Sequence, residues 1–555
     1  MWEFWIDRGG TFTDIIARFD SGKILVKKVL SENTDLYEDA AIEGMQSLMG
    51  IKRNEKIPLS KIKSIRMGTT VATNALLERK GEQPILITTE GFEDQLQIAY
   101  QNRPKLFERK IDLPSKLYHE IISVSERIRS NGEIETPLDE RKLISDLKKY
   151  FALGYKTCAI LFMHGYKFNE HEKKAAEIAK SIGFQQISVS HEVSSVVKFV
   201  GRGDTTVLDA YLTPIIKKYV STLVTSFDNH PGEKLKFMKS DGGMTLVDKF
   251  RGKDAVLSGP AGGVVGVVKT SLLENKKKII GFDMGGTSTD VCHYSGDYER
   301  KFDSIIDGIR IVSPMMSVHT VAAGGGSLLK FDGVRMRVGP ESSGANPGPV
   351  CYGNDGLLSL TDANIVTGRL QADFFPSVFG KGGSSSVSYE KAFKAFKAFS
   401  KCMGKSVEQV AEGFVQIAVD NMANAIKKIS IEKGHDLTQY CLATFGGAGG
   451  QHACEIADVL GINECLINKN ASLLSALGMG LADSTFTKIK TVDKELNESS
   501  FLEMAAELDN LAMLVSEELA KQGFHESALK VTNSVFIKIK GTDTPIKLGF
   551  SSIDA

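Results

Sequence analysis

Residues 2–14 read WEFWIDRGGTFTD, and residues 278–290 read KIIGFDMGGTSTD. Each opens on apolar and β-branched residues, the composition of a strand, then runs into Asp, two glycines, Thr and a second Asp. Apolar residues resume after each turn, so both stretches predict a strand, a tight turn and a returning strand. A Gly-Gly turn lets the backbone approach a ligand closely and aims successive N–H groups at it. Thr11, Thr13, Thr287 and Thr289 add hydroxyl donors. Asp7 and Asp283, at strand ends, are placed to hold a divalent cation, through water if it is Mg2+, which dehydrates reluctantly. One such turn alone reads as an ordinary hairpin closure with Asp and Thr as turn formers. The eight-residue repeat favours two phosphate cradles, carried by two like domains that grip one polyphosphate.

The 555-residue chain is too long for a single core, so two or more domains are expected. It is 42% hydrophobic and 25% charged, a globular composition. Lys plus Arg and Asp plus Glu balance at 68 each, so no net field draws nucleic acid or an anionic membrane. No apolar run approaches the roughly 18 residues that span a bilayer, and the N-terminus lacks a basic segment followed by an apolar one. Seven scattered cysteines without a CxxC pair read as reduced thiols of a cytoplasmic protein. The ten histidines form no HxH or HExxH pair, which argues against a dedicated transition-metal site.

Strands and helices alternate along the first part of the chain, as in KIKSIRMGTTVATNALLERKG, QPILITTEG and KTCAILFMHGY. An α/β domain is expected over 1–200. A second, over 201–490, holds an amphipathic helix from residue 204, a glycine-opened helix in AVLSGPAGGVVGVVKTSLL and the second hairpin. Ser406 and Gln409 form a capping box before a helical apolar stripe from Val407 to Ile429, with Gly434 as a C′ candidate. Residues 491–555 carry a helix near 501–522 and a strand pair, and read as the start of a further domain.

A third glycine cluster, FGGAGGQHA, places Gly446, Gly447, Gly449 and Gly450 between a strand and a helix N-terminus, a flat backbone surface suited to a nucleotide. Its spacing strains the dinucleotide fingerprint GxGxxG. His319, before the glycine run of SVHTVAAGGGS, is a candidate substrate contact or a satisfied structural histidine. Arg202-Gly203-Asp204 matches a cell-adhesion tripeptide by coincidence.

The two Asp-x-Gly-Gly-Thr turns and the later glycine cluster resemble the two phosphate motifs and the adenosine motif of the actin/hexokinase/Hsp70 ATPase superfamily. More narrowly, DRGGTFTD, GTTVATNALLERKGE, DMGGTSTDV, TVAAGGGS, GPESSGANPGPVCYG, LTDANIVTGRL, FGGAGGQHA and LLSALGMGLAD resemble the hydantoinase A/5-oxoprolinase family, in family order. DFFPSVFG, EKGHD, the Ala-Ala of TVAAGGGS, and KGTDTPI lean toward its ATP-dependent 5-oxoprolinase branch. The start of FVGRGDTTVLDAYLTP departs from the Pro-Arg-rich segment that the family shows there.

The resemblance implies two actin/hexokinase-like (RNase H-like) α/β domains. It implies hydrolysis of 5-oxo-L-proline to L-glutamate with ATP as phosphoryl donor, activated by phosphorylation of the amide oxygen. Asp7 and Asp283 would serve Mg2+. Gly9, Gly10, Thr11 and Thr13 would face the phosphates from one side, and Gly285, Gly286, Thr287 and Thr289 from the other. Gly446, Gly447, Gly449 and Gly450 would lie under the nucleoside. Arg8 would neutralise transition-state charge, or else be a paired arginine. Thr69, Thr70, Asn74 and His319 would line the substrate route, and Asp290 would be a base or orient water. A hydantoinase B-like module, in the same chain or as a separate subunit, and an oligomeric assembly are the implied partners. Two alternatives remain at this point: an A-type subunit of a hydantoinase or ATP-dependent ketone carboxylase, and a non-enzymatic nucleotide switch of actin or Hsp70 type.

Overall fold

The computed structural model describes residues 1–555 apart from 34, 102–106, 112, 114, 376, 378, 381–384, 543–544 and 551–555. The opening stretch forms β1 (Trp2–Arg8) and β2 (Phe12–Phe19), followed by β3 (Ile24–Leu30), α1 (Ala40–Met49), β4 (Ile62–Thr69) and α2 (Val71–Leu77). Next come β5 (Ile85–Thr89), β6 (Ile121–Val124), β7 (Thr157–Leu161), β8 (Gln186–Val189) and the long helix α3 (Phe199–Thr225). They lead to β9 (Leu235–Met238), β10 (Met244–Leu246), α4 (Ser258–Leu273), β11 (Lys278–Met284), β12 (Thr289–Ser295) and β13 (Val318–Val321). The remainder holds α5 (Val407–Ile429), β14 (Cys441–Phe445), α6 (Ala453–Leu460), β15 (Glu464–Ile467), α7 (Leu474–Leu481) and α8 (Glu498–Lys521).

The repeat seen in the two opening stretches extends to whole sheets. The first has order β10-β9-β4-β1-β2-β3 and the second β13-β12-β11-β14-β15. In both, an antiparallel hairpin is followed by strands that run parallel to its first member. Counted within each repeat, five strands take the order 3-2-1-4-5 with the second strand reversed, the RNase H-like sheet of actin/hexokinase-like ATPases, and β10 adds an antiparallel sixth to the first sheet. The register repeats as well: Asp7 pairs with Asp14, and Asp283 with Asp290.

The central strands are buried on both faces, and strand alternation sorts their side chains. On β1, Phe4 and Ile6 enter a core with α1 and α3, while Trp5 packs with Ile16 and Ala476 of α7. On β11, Ile280, Phe282 and Met284 enter a core with α5 and α6, while Ile279 faces α4 and α7. That last cluster also holds Met238 and Met244 of the first sheet, so α4 and α7 join the two repeats. The two helices meet backbone to backbone. A Cβ on Gly478 would lie 1.8 Å from the Gly262 carbonyl oxygen, and one on Gly266 would lie 2.3 Å from that of Leu474. Arg66 on β4 donates to the carbonyls of Gly480 and Ala482 and so satisfies the end of α7.

The third sheet, β8-β7-β5-β6, is wholly parallel. Its strands ILITT and TCAIL are buried at every position, as a sheet covered on both faces requires. The first sheet draws β9 and β10 from residues 235–246, beyond the 200/201 boundary expected from sequence, because β9 pairs with β4 and Phe237 completes the core. The helix expected from residue 204 begins at Phe199 and is buried along most of its length. Arg202 lies fully inside, donating to Ser190 Oγ and to the carbonyls of Phe162 and Val196, which leaves no adhesion tripeptide on the surface.

The capping box at Ser406 and Gln409 forms as expected. Gly434 is left-handed, but it closes the 3-10 turn 431–433, because α5 already ends at Ile429. The C-terminal segment is α8, capped by Asn497, and a hairpin of Ser534–Ile537 with Ile546–Gly549. The stretches DFFPSVFG and KGTDTPI each include residues outside the described ones, and SSIDA lies wholly outside them. Among the described residues no helix is long and apolar enough to cross a membrane.

Candidate active site

Asp7 and Asp283 each lie on the face of their strand that is turned toward α4 and α7, so the two repeats present them to one cleft. Gly259, at the start of α4, would place a Cβ 3.6 Å from Asp7 Oδ1. Gly446, at the end of β14, would place one 2.3 Å from Asp283 Oδ1; its φ of +78° also favours glycine. Burial pushes Asp7 up to about 7, with the Asp14 charge adding to it. Burial likewise pushes Asp283 up to about 7, with Asp290 and then Asp7 adding, an electrostatic link across the cleft.

Both turns close alike, Gly9 N–H donating to Phe12 O at 3.1 Å and Gly285 N–H to Ser288 O at 3.0 Å. Gly10, Thr11, Gly286 and Thr287 form the exposed tips. The support behind each tip differs. The Ser31 hydroxyl donates to the Gly9 carbonyl at 2.6 Å and contacts Thr13 Oγ1 at 3.0 Å, while Ser31 N–H donates to Thr11 O. Behind the second tip, Gly325 N–H donates to Gly285 O and Gly326 N–H to Gly286 O. A Cβ on Gly324 would lie 2.7 Å from the Thr287 backbone, so this triglycine run must be glycine to dock there.

The second Asp of each turn also differs in company. Asp14 is held up by burial, and Lys28, its cross-strand neighbour on β3, pairs with it. Thr320 occupies the same position on β13, and its hydroxyl donates to Asp290 at 2.6 Å. Burial raises Asp290, and no lysine offsets it there. Sequence reading missed Lys28 and Thr320, because only the pairing of the third strand reveals them.

Several expected site residues fall elsewhere. Thr13 and Thr289 are fully buried on the far faces of their hairpins; Thr289 donates to the Ala323 carbonyl and Thr13 shares a hydrogen bond with Ser31. They brace the turns, and of the four threonines only Thr11 and Thr287 stand at the exposed tips. Arg8 points away from Asp7, since neighbours on a strand alternate. It sits 3.5 Å from the Asp39 carboxylate, which caps α1, and 5.2 Å from the Tyr219 ring. It is thus the paired arginine of the two readings. His319 pairs with Val291 on the face covered by α5, opposite Asp290, and burial with the nearby Lys428 lowers it. That places it outside the cleft.

Thr69 is buried and locked to Ser258 of α4 through both backbone N–H and carbonyl. Thr70 donates to the Arg8 carbonyl from N–H and hydroxyl, and Asn74 Nδ2 lies 4.0 Å from where a Cβ on Gly10 would stand. Thr70 and Asn74 therefore flank the first tip. In the third cluster Gly447 and Gly450 are exposed with open space around them, whereas Gly449 packs on Thr444.

The residues fit a hydrated cation with a polyphosphate. Asp7 Oδ1 is buried without a hydrogen-bond partner, and the glycine backbones of Gly68 and Gly259 approach it closely. The four aspartates do not bring three ligand atoms within 4.8 Å of one another. Mg2+ held mostly through water and phosphate does not need them to.

Comparison with known proteins agrees with this geometry. The family model "Hydantoinase/oxoprolinase N-terminal region" matches residues 3–183, and "Hydantoinase/oxoprolinase" matches residues 202–488. The 5-oxoprolinase of Dictyostelium discoideum is 40% identical over 98% of this chain, and 5-oxoprolinase 1 of Arabidopsis thaliana is 41% identical over 98%. The chain spans 48% and 46% of their lengths, about half. The crystal structure of the ATP-dependent caprolactamase from Pseudomonas jessenii superposes with a TM-score of 0.85 at 28% identity, covering 99% of this chain and 81% of that one. With both family models matched in order and both hairpins facing one cleft, the chain belongs to the hydantoinase/oxoprolinase family.

Proposed function

We propose that this chain is the ATP-binding and phosphoryl-transferring part of an ATP-dependent lactam hydrolase that opens 5-oxo-L-proline to L-glutamate. The observation that carries the reading is the mirrored pair of hairpins, with Asp7 and Asp283 turned into one cleft. The similarity to 5-oxoprolinases supports the substrate, and the likeness to an ATP-dependent caprolactamase supports the reaction class.

A lactam is too poor an electrophile for water to attack quickly. Its carbonyl oxygen takes the γ-phosphoryl group and ADP leaves. Water adds to the activated carbon, the C–N bond breaks with the proton passing to nitrogen, and a second water releases phosphate. Two waters are consumed, one for the lactam and one for ATP.

Phosphoryl transfer needs positioning and charge neutralisation above all. Gly9, Gly10 and Thr11 hold the phosphates from one side and Gly285, Gly286 and Thr287 from the other. Gly446, Gly447 and Gly450 lie under the nucleoside, with Gly449 shaping their turn. Asp7 and Asp283 bind Mg2+ through water, and that ion supplies neutralisation of the polyphosphate charge. Thr70 and Asn74 line the approach of the lactam, and Asp290, steadied by Thr320, orients water or takes its proton. A hydantoinase B-like module completes the ring opening in an oligomeric, cytoplasmic enzyme, so the 555-residue chain alone binds nucleotide but opens the lactam poorly.

The test is to assay phosphate and glutamate together, with the chain joined to its B-like module, Mg2+ and ATP. Both products appearing only with 5-oxoproline is the expected result. ATP turnover indifferent to 5-oxoproline would overturn the substrate.

A further inference from the structure

A second cluster lies at the other end of the second repeat. His293 is on β12, toward the end away from the Asp290 turn; Glu299 follows that strand; His435 lies between α5 and β14. Their ligand atoms lie within 4.8 Å of one another, and among the described residues they are the one group of three that does so. Glu299 Oε1 is 2.8 Å from His293 Nδ1 and 4.0 Å from His435 Nε2. His293 is 4% exposed, and its Nδ1 pairs with that carboxylate. Its other nitrogen, Nε2, stands 2.8 Å from the Tyr440 hydroxyl. An imidazole tied at one nitrogen by a hydrogen bond and paired with a carboxylate at the other can take a metal ion in place of the proton shared with that carboxylate. Lys433 donates to Glu299 Oε2 at 2.6 Å, which occupies one carboxylate oxygen and leaves Oε1 to face the histidines.

We propose that His293 Nδ1, Glu299 Oε1 and His435 Nε2 bind a divalent transition-metal ion of the zinc class, with water in the remaining position. Two imidazoles and a carboxylate are a donor set that suits such an ion and disfavours Mg2+. Ligand bonds of about 2.0–2.1 Å in a tetrahedral site set donor atoms about 3.4 Å apart. The two rings stack at 4.0 Å between centroids with 21° between planes, so His435 must swing to converge on the ion. It stands on a connecting segment with its side chain 32% exposed, and it can do so. A cavity of about 330 Å³, lined by Glu299, Arg300, Lys301, Ser317 and Lys433 among others, reaches the Glu299 carboxylate from solvent, while neither histidine lines it. Held by the three ligands, the ion ties β12 to the segment leaving α5, remote from the phosphate tips and independent of the proposed reaction.

The expectation from sequence that no dedicated transition-metal site exists rested on local histidine spacing. These ligands come from two segments, His293 with Glu299 and, far along the chain, His435, which no local histidine motif can register.

Chelator-treated protein in excess Mg2+, which keeps the cleft aspartates engaged, is titrated with Zn2+ against a chromogenic competitor, and separately with Co2+. One zinc per chain is expected, with cobalt bands of nitrogen and oxygen ligation and a raised Tm. His435→Ala, at a partly exposed residue, and Glu299→Gln should each weaken zinc at least tenfold and abolish the Tm rise, while Asp283→Asn keeps both. No stoichiometric zinc, unchanged affinity in His435→Ala, or cobalt spectra showing thiolate charge transfer would each overturn the proposal.

Discussion

The two hairpins share length, register, turn closure and the placement of both aspartates, yet they are not electrostatic equals. At the third strand, one faces its second aspartate with Lys28 and the other with Thr320. The first tip therefore carries two carboxylates and one ammonium, and the second two carboxylates steadied by a neutral hydroxyl. A duplicated scaffold has kept its geometry while the charge balance of its halves diverged. On the proposed function, the second hairpin would be the stronger cation magnet, and the first, relieved by Lys28, better suited to receive phosphate.

That asymmetry ranks the substitutions. Asp283→Ala should have the largest effect, lowering lactam-dependent ATP turnover by ~10²–10³-fold, the range for removing a group that steadies transition-state charge. Asp7→Ala should cost less, about tenfold, since Lys28 already offsets that side; steady-state kinetics with the B-like module checks both. Equal losses would mean that the lysine does not distinguish the hairpins. Exchanging the neighbours should narrow the difference further. Thr320→Lys is expected to weaken Mg2+ affinity in the presence of nucleotide about tenfold, and Lys28→Thr to strengthen it a few-fold, as one added or removed charge near the protein surface would do. Calorimetric Mg2+ titration reads both.

A further expected effect is on stability. Burial holds Asp7 and Asp283 near 7, above the usual carboxylate range, so the folded chain binds protons there that the unfolded chain has released. Stability without ligand should therefore fall as pH rises from about 4 to about 7, and level off above. Mg2+ with nucleotide favours the ionised carboxylates and should flatten that slope. Denaturant midpoints at intervals across this range, with and without ligand, test it; a slope unchanged by ligand would separate these aspartates from the cation.

Much of this was legible in the sequence, because it is local. The two turns, the capping box at Ser406 and the glycine cluster after β14 depend on residues a few positions apart. What sequence reading misplaced depends on partners far along the chain. Thr13 and Thr289 look like phosphate donors until Ser31 and the Ala323 carbonyl are found behind them. Arg8 and His319 look available until strand alternation turns one toward Asp39 and Tyr219 and the other toward α5. The contribution of residues 235–246 to the first sheet is a tertiary pairing that no periodicity announces. Lys28 and Thr320, the most informative pair, differ in sequence surroundings and become comparable only once both sheets are superposed by register.

The central claim is that both hairpins engage one polyphosphate. Its most direct test is calorimetric binding of a non-hydrolysable ATP analogue with Mg2+ to the 555-residue chain and to its Asp7→Asn and Asp283→Asn variants. Single-site binding weakened in both variants, more strongly in Asp283→Asn, is the predicted result. Binding untouched by either substitution would contradict it.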